Sequence, residues 1–242
     1  MARNSKKRNG RVIRIQDEQQ HQSQQTRKQN VKLIPRNTAQ EDYILNLHNP
    51  SQRIVVSTGP AGTGKTYLAT SKAIQLLREG SINKIIITRP AVCADEQIGY
   101  LPGSLEQKMN PFLIPILDVF EEYYSPKDIK VMMDEKILEI CPLAFMRGRN
   151  FRDCFVLADE MQNSSPSQMK MLMTRISKGT RMVITGDTTQ HDRGKGENGL
   201  YDFIRRHKKN PKKTISVIEF LDEHVERDEI VKSVLDIYGE SV

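Results

Sequence analysis

Tryptophan is missing from this 242-residue sequence, aromatic residues make up 6% of it, and no apolar run approaches the ~20 residues of a membrane span. No membrane association is therefore expected. With a hydrophobic fraction of 37%, the thin aromatic content fits a soluble protein with a modest core. The amino terminus is basic but has no apolar segment behind it, so it does not read as a secretory signal. Cysteine is scarce as well. Cys93, Cys141 and Cys154 stand far apart with no CxxC pair, and read most simply as buried, reduced thiols in a cytoplasmic protein. There is no internal repeat, and the length fits one domain with at most an appendage.

What the chain does have is charge, unevenly placed. Residues 1–30 hold eight Lys/Arg against Asp17 and Glu18, a net of +6 out of +7, so the remaining 212 residues net only +1. Seven glutamines and almost no apolar side chains complete that segment, a composition that cannot bury enough surface to fold alone. Residues 1–30 are expected to be a disordered basic arm. A basic arm on a near-neutral body points either to an anionic polymer partner or to a solubilising tail.

The chain is organised around Gly59-Pro60-Ala61-Gly62-Thr63-Gly64-Lys65-Thr66. The apolar, β-branched run from Ile54 to Thr58 precedes it and reads as a buried strand; Tyr67 to Leu77 follows and reads as a helix. Strand, Gly-rich loop, Lys-Thr and helix is the context a phosphate-binding loop requires. Glycines let the backbone wrap so that successive N–H groups face phosphate oxygens, and the helix N-terminus adds its partial positive charge there. Lys65 would reach the β- and γ-phosphates and Thr66 would ligate Mg²⁺.

A second anchor is Phe155-Val156-Leu157-Ala158-Asp159-Glu160, where apolar residues run straight into two carboxylates. Such a pair at the end of a buried strand is costly without a cation. With a phosphate loop present, Asp159 is expected to hold Mg²⁺ and Glu160 to orient and deprotonate the attacking water.

Other segments fall into place around these two. Asn37 or Thr38 caps a helix carrying Tyr43, Ile44 and Leu47. Gln40, in its first turn, either presents its carboxamide to an adenine edge or is an exposed helical residue. Lys84–Thr88 reads as a second buried strand, and Arg89 at its end is a candidate phosphate contact, nucleotide or nucleic acid. Residues 91–104 form a long, Gly/Pro-punctuated loop. Residues 105–140 read as two helical segments separated at Ser125-Pro126, with Ile129, Met133, Ile137 and Ile140 at helical spacing. Leu143–Met146 reads as a short strand leading into the basic loop Arg147-Gly148-Arg149-Asn150. Ser164-Ser165-Pro166 starts a helix with Met169, Leu172, Met173 and Ile176 on one face, ended by Gly179. Arg181–Thr185 is the next strand, and its polar loop Gly186–Gln190 can reach a γ-phosphate. The basic run Arg205–Lys213 is either a nucleic-acid patch or a solvated helix end. An edge strand at 214–221 and a last helix at 225–238 complete the chain.

Taken together, Asn37–Gln40, Thr88-Arg89-Pro90, Asp159-Glu160 and Gly186-Asp187-Thr188-Thr189-Gln190 resemble superfamily 1 helicase cores. With Thr88–Val92, Gly99-Tyr100-Leu101-Pro102-Gly103 and Pro142–Arg149 added, the chain over about residues 31–240 more closely resembles PhoH-like proteins, in a compact form like phage-encoded members. The resemblance implies a single α/β RecA-like P-loop NTPase domain, a mostly parallel sheet flanked by helices. It implies an ATP-binding, Mg²⁺-dependent ATPase linked to single-stranded RNA or DNA; the alternative is a nucleotide-gated switch without motor activity. The nuclease and RNA-binding domains of longer members do not carry over. The implied nucleotide residues are Gln40 and Gly59–Thr66. Lys65, Glu160 and Gln190 would act on the γ-phosphate, and Arg89, Arg147 and Arg149 would face nucleic acid. True helicases have a second domain that supplies arginines. Here a finger must come from residue 193 onward or from another subunit; Arg227 is the first choice and Arg193 the second, and a finger in trans implies a ring, by resemblance a hexamer. The plainer alternative pairs Arg227 with Glu223 or Asp228.

Overall fold

A computed structural model of the chain describes residues 30–90, 105–189 and 198–226, and beyond them Ile230, Val231, Val234, Ile237 and Tyr238; side chains within the helix starting at Leu105 are described from Leu113 on. The basic arm, the 91–104 loop with Cys93, and Gln190, Arg193 and Arg227 lie outside the described residues.

Six strands form one sheet: β1 Ile54–Thr58, β2 Lys84–Thr88, β3 Leu138–Ile140, β4 Cys154–Ala158, β5 Arg181–Gly186 and β6 Ile215–Glu219, in spatial order β3-β2-β4-β5-β1-β6. Every pairing is parallel. A parallel sheet needs both faces covered, and the strands accordingly read as near-continuous apolar runs. Alternate residues divide between two cores. Val55, Ile85, Ile87, Phe155, Leu157 and Val183 face one core; Ile54, Val56, Ile86, Val156, Met182 and Ile184 face the other. Helices α1 Thr38–His48, α2 Lys65–Arg78, α3 Leu105–Glu121 and α4 Pro126–Asp134 cover the first face. Helices α5 Pro166–Met173 and α6 Gly199–Lys209 cover the second. The expected α/β architecture is therefore present.

Local chemistry explains the boundaries. Asn37 caps α1 by accepting from the Gln40 N–H. Ser125 and Ser165 start α4 and α5 with reciprocal capping boxes and a following proline. The expected edge strand is β6, at the sheet's border.

Four expectations need correction. Residues 138–140 are strand β3, not helix, so Ile137 and Ile140 shared their spacing with α4 by coincidence. Leu143–Met146 is a 3₁₀ turn, not a strand. Helix α5 stops at Met173, well before Gly179, and Ile176 instead bridges Phe151 as an extended residue. Val225 and Glu226 are not helical; a 3₁₀ turn, Asp222–His224, precedes them.

Candidate nucleotide site

Because all six strands are parallel, their carboxyl ends share one edge of the sheet. Register places Thr58 beside Gly186, Ala158 beside Ile184, and Thr88 beside Ala158. The segments leaving those ends are the Gly-rich loop, the Gly186–Thr189 loop, the acid pair and Arg89. Strand β5 lies between β1 and β4, so its loop emerges between the phosphate loop and the carboxylates. The cleft among them, about 290 Å³, is lined by the loop glycines, Lys65, Thr66, Tyr67, Asp159, Glu160, Gln162 and Asp187.

The loop is wound as its sequence predicts. Gly59, Gly62 and Gly64 all have positive φ. At Gly59 an added Cβ would lie 2.2 Å from the Phe220 carbonyl oxygen, so no side chain fits where β1 passes β6. Lys65 is folded back along the loop: its Nζ donates to Gly59 O at 2.7 Å, Pro60 O at 2.5 Å and Thr63 Oγ1 at 3.0 Å. Burial pushes its ammonium below the usual lysine value, while Asp187, Glu160 and Asp159 pull part of the way back.

Thr66 and Asp159, 93 positions apart, meet at 2.8 Å, the Thr66 hydroxyl donating to Asp159 Oδ1. Thr185 donates to the same oxygen. Arg89 reaches both carboxylates, its Nε 3.6 Å from Asp159 Oδ2 and an Nη 3.0 Å from Glu160 Oε1. The cation that the acid pair, Asp159 buried and Glu160 half-buried, demands is thus supplied in part by the protein itself. Asp187 is 6% exposed. Its Oδ1 accepts from the N–H and hydroxyl of Thr189, while its buried Oδ2 has no hydrogen-bond partner among the described residues. Asp187 lines this cleft, and an orphaned buried carboxylate oxygen there is the kind of acceptor that an ordered or metal-bound water satisfies.

Gln40 is 4% exposed, which removes the exposed-helix alternative. Its Oε1 accepts from Arg36 N at 3.0 Å and its Nε2 donates to Thr63 O at 3.2 Å, so it braces the phosphate loop. Arg149 grips Glu139 with both terminal nitrogens, at 2.5 and 3.0 Å, and lies over the Phe151 ring. Arg147 is exposed. In the basic run, Arg205 and Arg206 are tied to Asp202 and Lys208 to Glu219. Glu226, the residue before Arg227, donates its backbone N–H to Gly62 O at 3.1 Å, so the chain that leads to Arg227 is anchored on its own phosphate loop.

Sequence reasoning passed over Tyr67, 44% exposed at the mouth of the cleft, and Gln162. The signal for Gln162 was a polar run, Gln162-Asn163-Ser164, directly behind a buried strand; all three are buried.

A parallel sheet with a glycine-rich loop entering a helix, and a Thr–Asp contact across an intervening strand, defines a P-loop nucleotide-binding protein. Residues 32–239 match the family described as "PhoH-like protein", and the chain belongs to that family. It is 44% identical over 186 residues to a PhoH-like protein of Bacillus subtilis, covering 76% of this chain and 58% of that one. It is 37% identical over 217 residues to a PhoH-like protein of Mycobacterium tuberculosis, covering 86% and 58%. Protein PhoH of Escherichia coli is 33% identical over 210 residues, again 86% and 58%. This chain thus spans 58% of the length of each of these relatives. Among solved structures, domain III of the Thermotoga maritima replication initiation protein DnaA aligns over 88% of this chain and 74% of its own at 14% identity, with a TM-score of 0.35. That likeness is too loose to carry an argument.

Proposed function

We propose that this chain binds Mg·ATP in the cleft and hydrolyses it, and that the cycle serves single-stranded RNA or DNA. The observation that carries the reading is the Thr66–Asp159 contact at 2.8 Å, with Glu160 beside it at the cleft wall. Among the described residues no cluster of three or more His, Cys, Asp or Glu side chains is placed to hold a metal alone. Thr66 and Asp159, together with phosphate oxygens, make the mixed ligand set that Mg²⁺ favours. Bound there, the ion would neutralise charge developing on the phosphates.

The chain's own groups do the rest. Backbone N–H groups of Gly59–Thr66 cradle the phosphates, and Lys65 exchanges its loop carbonyls for phosphate oxygens. Glu160 takes the proton of the attacking water. Gln190, at the end of the loop after β5, senses the γ-phosphate, and Gln40 reads the adenine if its carboxamide exchanges partners. Arg89 and Arg147 are the proposed nucleic-acid contacts. Arg149 belongs to that set only if it leaves Glu139. No described helix is long and apolar enough to cross a membrane. We place the protein in the cytoplasm, a reading that its sparse cysteines, with Cys141 and Cys154 buried, support.

One observation favours a gated switch as the second reading. Arg89 occupies Glu160, so turnover without a partner should be slow. Phosphate release from ATP, measured with and without single-stranded RNA and DNA, separates the two: stimulation by either supports coupled hydrolysis, and none supports the switch.

Arg227 is proposed to complete the site in trans, within a head-to-tail hexameric ring. Mixing Lys65→Ala with Arg227→Ala protein should restore part of the ATPase activity, because some interfaces pair an intact loop with an intact arginine. No recovery in demonstrably mixed oligomers rules this out, and the anchoring of Glu226 on its own Gly62 then makes a cis role the better account.

A further inference from the structure

Gln162 sits in the 3₁₀ turn Met161–Asn163 behind the acid pair and is 5% exposed. Its Oε1 accepts the Asp187 N–H at 3.1 Å, and its Nε2 donates to Glu160 Oε2. The orientation of the amide is dictated by its neighbours. Reversed, it would set donor against donor and acceptor against acceptor. One side chain thus ties the carboxylate after β4 to the backbone after β5.

Two further observations show that this tie is tightly fitted. A Cβ on Gly186 would lie 2.5 Å from Gln162 Oε1, 2.7 Å from Leu200 Cδ2 and 3.1 Å from the Gln162 nitrogen. Gly186 is not among the positive-φ glycines, so its requirement is for space, and the amide of Gln162 fills that space. Glu160 itself has φ of 55°, in the left-handed region that is strained for a non-glycine residue and persists only when surroundings over-determine it. Its two carboxylate oxygens have separate partners, Oε1 Arg89 and Oε2 Gln162.

We infer that Gln162 is a positioning residue that yokes Glu160 to the Gly186–Thr189 loop, so that a phosphate seated against that loop fixes where the Glu160 carboxylate points. The inference rests on the reading of Glu160 as the base. Its logic is mechanical. The amide has one bond at each end and close contacts behind it, so displacement of Asp187 N–H draws the amide with it, and the amide draws Glu160. A triphosphate, which reaches further along the cleft than a diphosphate, engages the yoke; a diphosphate does not.

Two variants and two readouts test this. Gln162→Met keeps the length and removes both bonds. Gln162→Glu keeps an acceptor for the Asp187 N–H but turns a second carboxylate on Glu160. In the protein without nucleotide, amide exchange at Asp187 should rise about fivefold or more in Gln162→Met, the loss of one buried bond, and stay near the parent rate in Gln162→Glu. With a non-hydrolysable ATP analogue and Mg²⁺, exchange across residues 160–163 should slow in the parent relative to Mg·ADP, and that difference should vanish in Gln162→Met. In steady state both variants should lose at least tenfold in kcat with KM within about twofold. Parent-like kcat in both variants alongside a slow Glu160→Gln, or equal analogue protection in the parent and Gln162→Met, overturns the inference. If Glu160→Gln itself turns over at the parent rate, the base assignment falls instead, and the exchange measurements still decide whether the yoke exists.

Discussion

Two clusters of partly buried charge lie on this sheet, and they are built differently. At its border, Glu139 on β3 meets Arg149 through both oxygens and Lys84 at 3.1 Å. Both oxygens of the carboxylate are matched. At the carboxyl edge, Asp159, Glu160 and Asp187 gather around Lys65 and Arg89. There Lys65 bonds carbonyls instead of carboxylates, and Asp187 Oδ2 is orphaned. The first cluster is saturated and closed, as a structural ion pair should be. The second lines a cleft and keeps one carboxylate oxygen unpartnered among the described residues, which an incoming ligand or ordered water would satisfy. Both clusters hold arginines that look alike in sequence, and only spatial partners separate them.

The sharpest way to break the comparison is to remove one group from each cluster. Lys65→Ala should abolish measurable Mg·ATP binding while leaving the melting temperature within a few degrees or raising it, since a buried ammonium leaves the folded state. Glu160→Gln should keep binding and lower turnover by at least roughly a hundredfold, the lower end of what a positioned base contributes. Calorimetric titration with Mg·ATP and single-turnover phosphate release read the two separately. Parent-rate hydrolysis by Glu160→Gln would refute the base assignment.

Glu139→Gln is the matching change at the border, and it should leave nucleotide binding and turnover untouched. Burial alone would raise the Glu139 carboxyl, but the hydrogen bonds and charges of Arg149 and Lys84 outweigh it and hold the group below its ordinary 4.5. A lowered carboxylate contributes stability above its unfolded value and loses it as pH falls through the folded one. The side chains are 21–33% exposed, so solvent screening limits the effect to about 1 kcal/mol at pH 7. Chemical denaturation should show that gap at pH 7 and show it narrowing as pH falls below the ordinary 4.5. A gap with no pH dependence would mean that the glutamine disturbs packing and not charge.

The same contrast explains what was legible in the sequence. The phosphate loop, the capped helices and the acid pair are local patterns, and each fell where its residues predicted. Strand β3 has only three residues, too few to show a period of two, and Ile137 and Ile140 happened to continue the spacing of α4. Leu143–Met146 is a short apolar run that fits several local structures, and in the fold it is a 3₁₀ turn with Leu143 and Met146 buried. The role of Arg149 depends on Glu139, ten residues away but on another element, and that of Gln162 on Asp187, 25 residues on. Contacts of that kind are set by strand order, which no local pattern encodes.

The smallest effect on folding stability is expected from the basic arm, where a third set of charges has only Asp17 and Glu18 against eight Lys/Arg. Val31 is 7% exposed and sits in the core beneath α1, so a truncation that removes residues 1–29 spares every described contact and should not change the melting temperature. The arm's eight Lys/Arg face only Asp17 and Glu18, whereas the basic run of α6 is partly neutralised by Asp202 and Glu219. The arm is therefore the better electrostatic partner for a phosphate backbone. Each contact it makes with a single strand adds roughly 0.7 to the slope of log K against log salt, so its removal should flatten that slope by several units and weaken binding most at low salt. Binding of a labelled single-stranded RNA, titrated at four salt concentrations, measures this directly. An unchanged slope would make the arm a solubilising tail and shift the search for the nucleic-acid surface to Arg89 and Arg147.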